Sequence, residues 1–241
     1  MANTLDANLS AVEAYAEVLP HLDVAQSLVQ KVKDKIDDAS YTYAKILDKL
    51  NTGLRWICGK YLIEDLETFV DVETDPGVNH IPLPRDYQRN LRWAHSTSHN
   101  RQIKIYPSTV QLLRWFSMLD QTGRIVGLAI KGRHLYYQRV PSSSETIRLN
   151  YWRYPDRIDM RTEKVEILPE HLVEPLLVSY ACREIYEEIE DGLEGEKVNT
   201  IWYTKKFAEA QGELRIYLGP QTRIPVGIET EIDWDSYFSH G

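Results

Sequence analysis

The chain has 241 residues, 43% of them hydrophobic and 27% charged, enough apolar material for a core in one or two domains and too much to leave the bulk disordered. A net charge of -8 and the lack of any concentrated Lys/Arg run argue against a surface built to displace counterions from nucleic acid. No run of about eighteen apolar residues occurs, and Met1–Asp6 lacks the pattern of a secretory signal, so neither a membrane partner nor export is expected.

Residues 1–65 read as a helical segment. The first twenty have helical composition and are set apart by Pro20. Asp23 is a suitable N-cap for a helix with Leu28, Val29, Val32 and Ile36 at three- and four-residue steps. In that helix Lys31-Val32-Lys33-Asp34-Lys35 reads as a solvated face. Asp37, Asp38 and Ser40 offer a second cap before Tyr43, Ile46, Leu47, Leu50, Leu54, Ile57 and Cys58, which make one apolar stripe. Gly53 and Gly59 weaken this helix, and a break is expected near one of them.

Residues 66–165 read as an antiparallel β-module. Thr68–Thr74 alternates at period two and Asp75-Pro76-Gly77 marks a turn. Short strands are expected at Ile81 and Leu83, at 91–94 and at 103–106. Val110–Phe116 reads as a helix opened by Pro107-Ser108. A hairpin is expected over 126–130 and 134–140 around Lys131-Gly132, and a further strand over 146–154.

Residues 166–218 return to helix, as a hairpin expected to pack with 23–64. Leu172, Val173, Leu176, Leu177, Tyr180, Ala181, Ile185 and Ile189 form a continuous apolar face. Pro169 suits the first turn, whereas Pro175 is expected to kink the helix or shift its start. Gly192 and Gly195 mark the hairpin turn. The last helix, 196–218, carries two apolar stripes. One runs through Val198, Ile201, Trp202 and Ala208, the other through Tyr203, Phe207, Ala210, Leu214 and Tyr217. A helix apolar on two sides has two things to touch, a core and a neighbouring subunit. Residues 219–241 lose helical periodicity at Pro220, Pro225 and Gly227 yet carry Ile224, Ile228, Ile232, Trp234, Tyr237 and Phe238 among acids, the composition of an extended docking tail.

Reactive chemistry finds little support in the sequence. His95 and His99 stand at ligand spacing but flank Ser96-Thr97-Ser98 without the glutamate of an HExxH helix. Cys58 and Cys182 lie in apolar helical patterns and read as buried thiols rather than a disulfide or a nucleophile. Ser142-Ser143-Ser144 lacks the glycines of a nucleophile elbow, and no phosphate-binding glycine motif is present. No catalytic residue, metal or cofactor is expected. The acids Glu187, Glu188, Glu190, Asp191 and Glu194 ring a helix end instead of converging, and at a C-terminus they oppose the macrodipole. Tyr136, Tyr137, Tyr151, Trp152 and Tyr154 invite either base stacking or core packing; without a basic groove, packing is favoured.

Several short motifs in fixed order resemble the head-to-tail adaptors, or connectors, of short-tailed bacteriophages. Leu50-Asn51-Thr52-Gly53-Leu54 with Trp56-Ile57 resembles their first-helix pattern. Ile81-Pro82-Leu83-Pro84-Arg85-Asp86-Tyr87 resembles a Tyr-x-Leu-Pro-x-Asp-Phe/Tyr stretch, with Ile81 where an aromatic is common. Leu149–Pro155 resembles the strand ending in an aromatic-proline pair, and Ile167-Leu168-Pro169-Glu170-His171-Leu172 the start of the penultimate helix. Gly123-Arg124-Ile125 departs from the usual Gly-x-Pro. The match spans roughly 45–215; order and spacing carry its weight.

The resemblance implies an α+β subunit, a helical domain with an inserted β-module and an extended tail. It also implies a non-enzymatic virion protein of the neck, made in the host cytoplasm. Its partners would be the portal protein, a tail or nozzle protein, further copies in a twelvefold ring, and genomic DNA sliding through unbound. On that basis Trp202, Tyr203, Phe207, Leu214 and Tyr217 are expected at the subunit interface. Glu187, Glu188, Glu190, Asp191 and Glu194 are expected along the DNA channel, and Ile224, Ile228, Ile232, Trp234, Tyr237 and Phe238 on the portal. Alternatives are a nucleic-acid-binding regulator using the aromatic β-module, or another neck protein such as a stopper or tail-completion protein.

Overall fold

The computed structural model describes residues 24–36, 38–162, 164–191 and 197–220. The expected caps Asp23 and Asp37, the first twenty residues and the Gly192/Gly195 turn lie outside them. The fold is α+β, and the chain divides into two units. It leaves a helical unit after Lys60, builds a β-unit, and returns to the helical unit at Pro155.

In the helical unit, α1 (Val24–Lys33) buries Ala25, Leu28, Val29 and Val32, the stripe its spacing predicts. Helix α2 (Tyr43–Lys60) buries Ile46, Leu50, Leu54, Ile57 and Cys58 on one face. It does not break at either glycine. A Cβ on Gly53 would lie 2.7 Å from Tyr180 Cδ1, so this position lets a neighbouring helix approach closely.

That neighbour is α4 (Glu170–Ile189), which packs against α1, α2 and the last helix, α5 (Val198–Leu218). Ten of its residues are buried, from Leu172 to Ile185. The start is not shifted by Pro175, which sits inside a helix that begins directly after Pro169. Lys31 Nζ meets Glu174 at 2.6 Å and ties α1 to α4. The stretch 155–165, read from the sequence as the end of the β-module, runs with the helical unit. Asn51, buried in α2, accepts from Ile158 N–H at 2.8 Å and donates to Ile158 C=O at 3.0 Å, which satisfies a polar side chain that burial would otherwise penalise.

The β-unit holds two four-stranded sheets. In one, β1 (Glu67–Glu73) pairs in continuous antiparallel register with β8 (Thr146–Arg153), which pairs on its other side with β3 (Tyr87–Ser96); β4 (Arg101–Gln102) closes the row. In the other, β2 (His80–Pro82), β7 (His134–Tyr137), β6 (Gly127–Lys131) and β5 (Lys104–Tyr106) lie side by side. The β6–β7 hairpin turns at Gly132-Arg133, with Gly132 at φ 61°, one residue later than the expected Lys131-Gly132. The module is not wholly antiparallel, since β5 and β6 run parallel. The link between them contains α3 (Thr109–Trp115), whose first turn is capped by Ser108 Oγ accepting from Gln111 N–H at 3.2 Å. Ile81, Leu128, Leu135 and Tyr137 of one sheet meet Leu91, Ala94, Ile147, Leu149 and Tyr151 of the other in one core.

Candidate assembly surfaces

Helix α5 is two-sided, as its sequence predicts, and the structure assigns the sides. Tyr203, Phe207, Ala210 and Leu214 are buried in the helical unit. Tyr180 and Phe207 meet edge to face at 5.4 Å, and Tyr186 stacks on Tyr203 at 5.5 Å. Val198, Ile201, Trp202, Ile216 and Tyr217 are 61, 64, 53, 83 and 63% exposed. At 100° per residue, Val198, Ile201, Trp202 and Ile216 fall on one face, opposite the core. Of the five residues expected at a subunit interface, only Trp202 and Tyr217 are therefore on the surface. Tyr203, Phe207 and Leu214 belong to the subunit's own core because α4 covers that side. Ile216 was missed, since it continues the Val198 stripe only after the interruption at Lys205, Glu209 and Gly212.

The acidic helix end does less to line a surface than its composition suggests. Glu190 is buried and closes the N-terminus of α5, accepting from Asn199 N–H and Thr200 N–H at 3.1 Å each and from Thr200 Oγ1–H at 2.7 Å. Burial works against its charge, but the bonds from Thr200 and Asn199 outweigh it and hold the carboxyl below its usual range. Glu188 accepts from Lys49 and, at 3.1 Å, from Tyr41 OH, and the Lys49 bond lowers its pKa. Glu187 and Asp191 face solvent, Asp191 3.5 Å from Lys197. Glu194 lies outside the described residues, as do Ile224, Ile228, Ile232, Trp234, Tyr237 and Phe238.

Of the five aromatics considered for base stacking, Tyr137, Tyr151 and Trp152 are core, Tyr136 is half-buried and stacks on His80, and Tyr154 is exposed, which weakens the stacking reading. Tyr137 and Tyr151 are fully buried, and Trp152 is buried with its indole N–H donating to Ile63 C=O at 3.2 Å. Burial raises both phenol pKa values, with Asp75 adding for Tyr137 and Asp86 for Tyr151. His95 stacks on Trp93, while His99 Nε2 meets the buried Glu145 carboxylate at 3.3 Å. Among the described residues, no group of three or more His, Cys, Asp or Glu is placed to hold a metal ion, and no helix is long and apolar enough to cross a membrane. Burial pushes the Cys182 thiol up to about 12, away from a reactive thiolate.

A family model described as SU10 adaptor protein matches residues 25–225, a span that takes in both units. The chain belongs to the SU10 adaptor protein family. The resemblance to phage head-to-tail adaptors read from the motifs is thereby borne out. No curated protein matches the chain. This SU10 adaptor family member also presents an apolar surface that its motifs did not reveal. Val110, Leu113, Trp115 and Met118, on and after α3, are exposed, Trp115 to 72%. A short helix apolar all round (Val110, Leu112, Leu113, Trp115) was the signal for it.

Proposed function

We propose that this protein is a structural head-to-tail adaptor that forms a ring beneath the portal, joins capsid to tail and gives DNA a passage. The exposed α5 stripe carries this reading. Val198, Ile201 and Trp202 form an exposed apolar cluster at the start of the helix. Ile216 lies on the same face about 21 Å further along, beyond Lys205, Glu209 and Gly212. An exposed cluster of this kind supports an interaction site. A heterologous contact through one such face, repeated by rotation, closes a ring. Twelve copies would match the portal symmetry that the resemblance implies.

In that ring Glu187, Asp191 beside Lys197, and Glu194 are the acidic residues proposed to face DNA, whereas Glu188 and Glu190 are engaged in the subunit's own fold. Acidic lining suits a passage, since duplex DNA carries a charge about every 1.7 Å and basic lining would hold it. The tail, 219–241, is the portal dock, with Trp234 and Phe238 as its largest anchors and Pro220 and Pro225 reducing the entropy of ordering. The assembly belongs in the neck of the virion, with a tail or nozzle protein on its far side, after synthesis in the host cytoplasm.

The test is to mix the purified protein with portal rings and follow co-sedimentation. The wild type should co-sediment as a ring-sized complex, and truncation after Gly219 should abolish attachment while leaving the fold intact. Attachment unchanged by that truncation would show that the tail is not the dock.

A further inference from the structure

In the sheet of β2, β7, β6 and β5, two histidines far apart in the sequence stand side by side. β2 pairs with β7 so that His80 lies opposite Tyr136 and Pro82 opposite His134. Ile81, Leu135 and Tyr137 point into the core, so the alternating residues His80, His134 and Tyr136 share the other face of the sheet. The rings of His80 and His134 are 5.3 Å apart between centroids, and Tyr136 stacks on His80 at 5.2 Å. Paired strands hold both imidazoles in place, His80 half-buried and His134 exposed.

This spacing is that of two ligands on one metal ion. A Zn–N bond of about 2.0–2.1 Å places each imidazole centroid about 3.2 Å from the metal, and a tetrahedral angle then separates the two centroids by about 5.2 Å. The ring planes cross at 78°. Rotation about each Zn–N bond leaves the centroid where it is, so that angle is compatible with shared coordination.

The tautomer of His80 is also set. Asn79 Nδ2 donates to Leu119 C=O at 3.2 Å, which orients the amide so that Oδ1 faces the ring. Asn79 Oδ1 lies 3.1 Å from His80 Nδ1 and can only accept. Nδ1 of the neutral ring therefore carries the proton and Nε2 keeps its lone pair. Metal-bound histidines are oriented in this way, through a hydrogen bond from the other nitrogen.

We propose that His80 and His134 form a two-imidazole site for a divalent transition-metal ion of the zinc class, with Asn79 as a positioning residue. The pair supplies fewer ligands than a structural or catalytic zinc site, so water completes the coordination in the free subunit. Imidazole nitrogen selects zinc, copper or nickel over magnesium and calcium, which take oxygen. Because β2 is a three-residue strand at the edge of its sheet, the ion also ties that strand to β7.

Titration of the untagged full-length protein with ZnCl2, followed by calorimetry and histidine NMR, tests this independently of the adaptor reading. A single Zn2+ should bind per chain. Of the seven histidines, His80 and His134 should show ring resonances that move together, a readout that needs no variant, and excess Mg2+ should not reverse the shift. His80→Gln and His134→Gln should each weaken binding by at least about tenfold and Asn79→Ala by about tenfold, whereas the exposed His171→Gln should leave it unchanged. Zn2+ should raise the thermal midpoint of the wild type and not that of the His80 and His134 variants. Zn2+ spread over several histidines, an adventitious ion only, would overturn the proposal. So would binding that survives loss of either His80 or His134, or that Mg2+ displaces. Either result leaves portal binding and ring formation to their own test.

Discussion

Gly53 was legible as a weak point of α2, but its purpose was not, because the ring it accommodates belongs to a helix far along the chain. An alanine methyl at this position would meet Tyr180 Cδ1 at 2.7 Å and Cγ at 2.9 Å. Gly53→Ala should therefore lose roughly 1–3 kcal/mol to overpacking, more than the ~1 kcal/mol that alanine returns in helix propensity. Urea unfolding of the variant measures the balance, and a stabilised variant would contradict the packing argument. Glu188 and Glu190 make a pH prediction. Both carboxyls are held below their usual value of 4.5 in the folded chain. Their contribution is therefore complete above that value and is lost as the pH falls through it towards the folded-state pKa. The thermal midpoint should drop on acidification below about 4.5, and replacing both with glutamine should lower the midpoint at neutral pH and flatten that acid slope. Cys182, its thiol pushed up to about 12 by burial, should resist thiol reagents at pH 8 and react once the protein is unfolded.

Among the elements, α5 was read correctly as two-sided, but Tyr203, Phe207 and Leu214, expected at the subunit interface, are on the side facing the core. Both stripes are aromatic and aliphatic, so periodicity alone could not rank them; only the packing of α4 onto Tyr203, Phe207 and Leu214 does. The two sides should respond oppositely to substitution. Phe207→Ala should cost about 3–5 kcal/mol of stability, the loss of a fully buried ring. Trp202→Glu and Ile216→Glu should change stability by no more than ~0.5 kcal/mol, as surface substitutions do, and abolish ring assembly in sedimentation. A Trp202→Glu protein that still forms rings would remove α5 from the interface. The acidic end of α4 shows a different limit of the sequence. A run of carboxylates looks uniform, but Glu190 lies where it can cap α5 and Glu188 where it can meet Lys49, relations that depend on how the hairpin closes.

For the whole molecule, the texture changes near Leu66 and Leu168 separated helix from sheet, and most strands fall where period-two alternation placed them. The parallel β5–β6 pair was not legible, because pairing direction depends on the path of the intervening α3 link and leaves no trace in strand periodicity. The return of the chain to the helical unit at Pro155, well before Leu168, was hidden for a similar reason. It is fixed by the hydrogen bonds of Asn51 to Ile158, a pair with no local signature. The proposed function rests on assembly, so the decisive observation is of the assembly itself. Cryo-electron microscopy of this protein bound to its portal should show a closed ring in which Val198, Ile201, Trp202 and Ile216 are buried between neighbouring copies and Glu187 and Asp191 face the lumen. A portal complex in which that stripe stays in solvent and the lumen is lined by Lys and Arg would contradict the account.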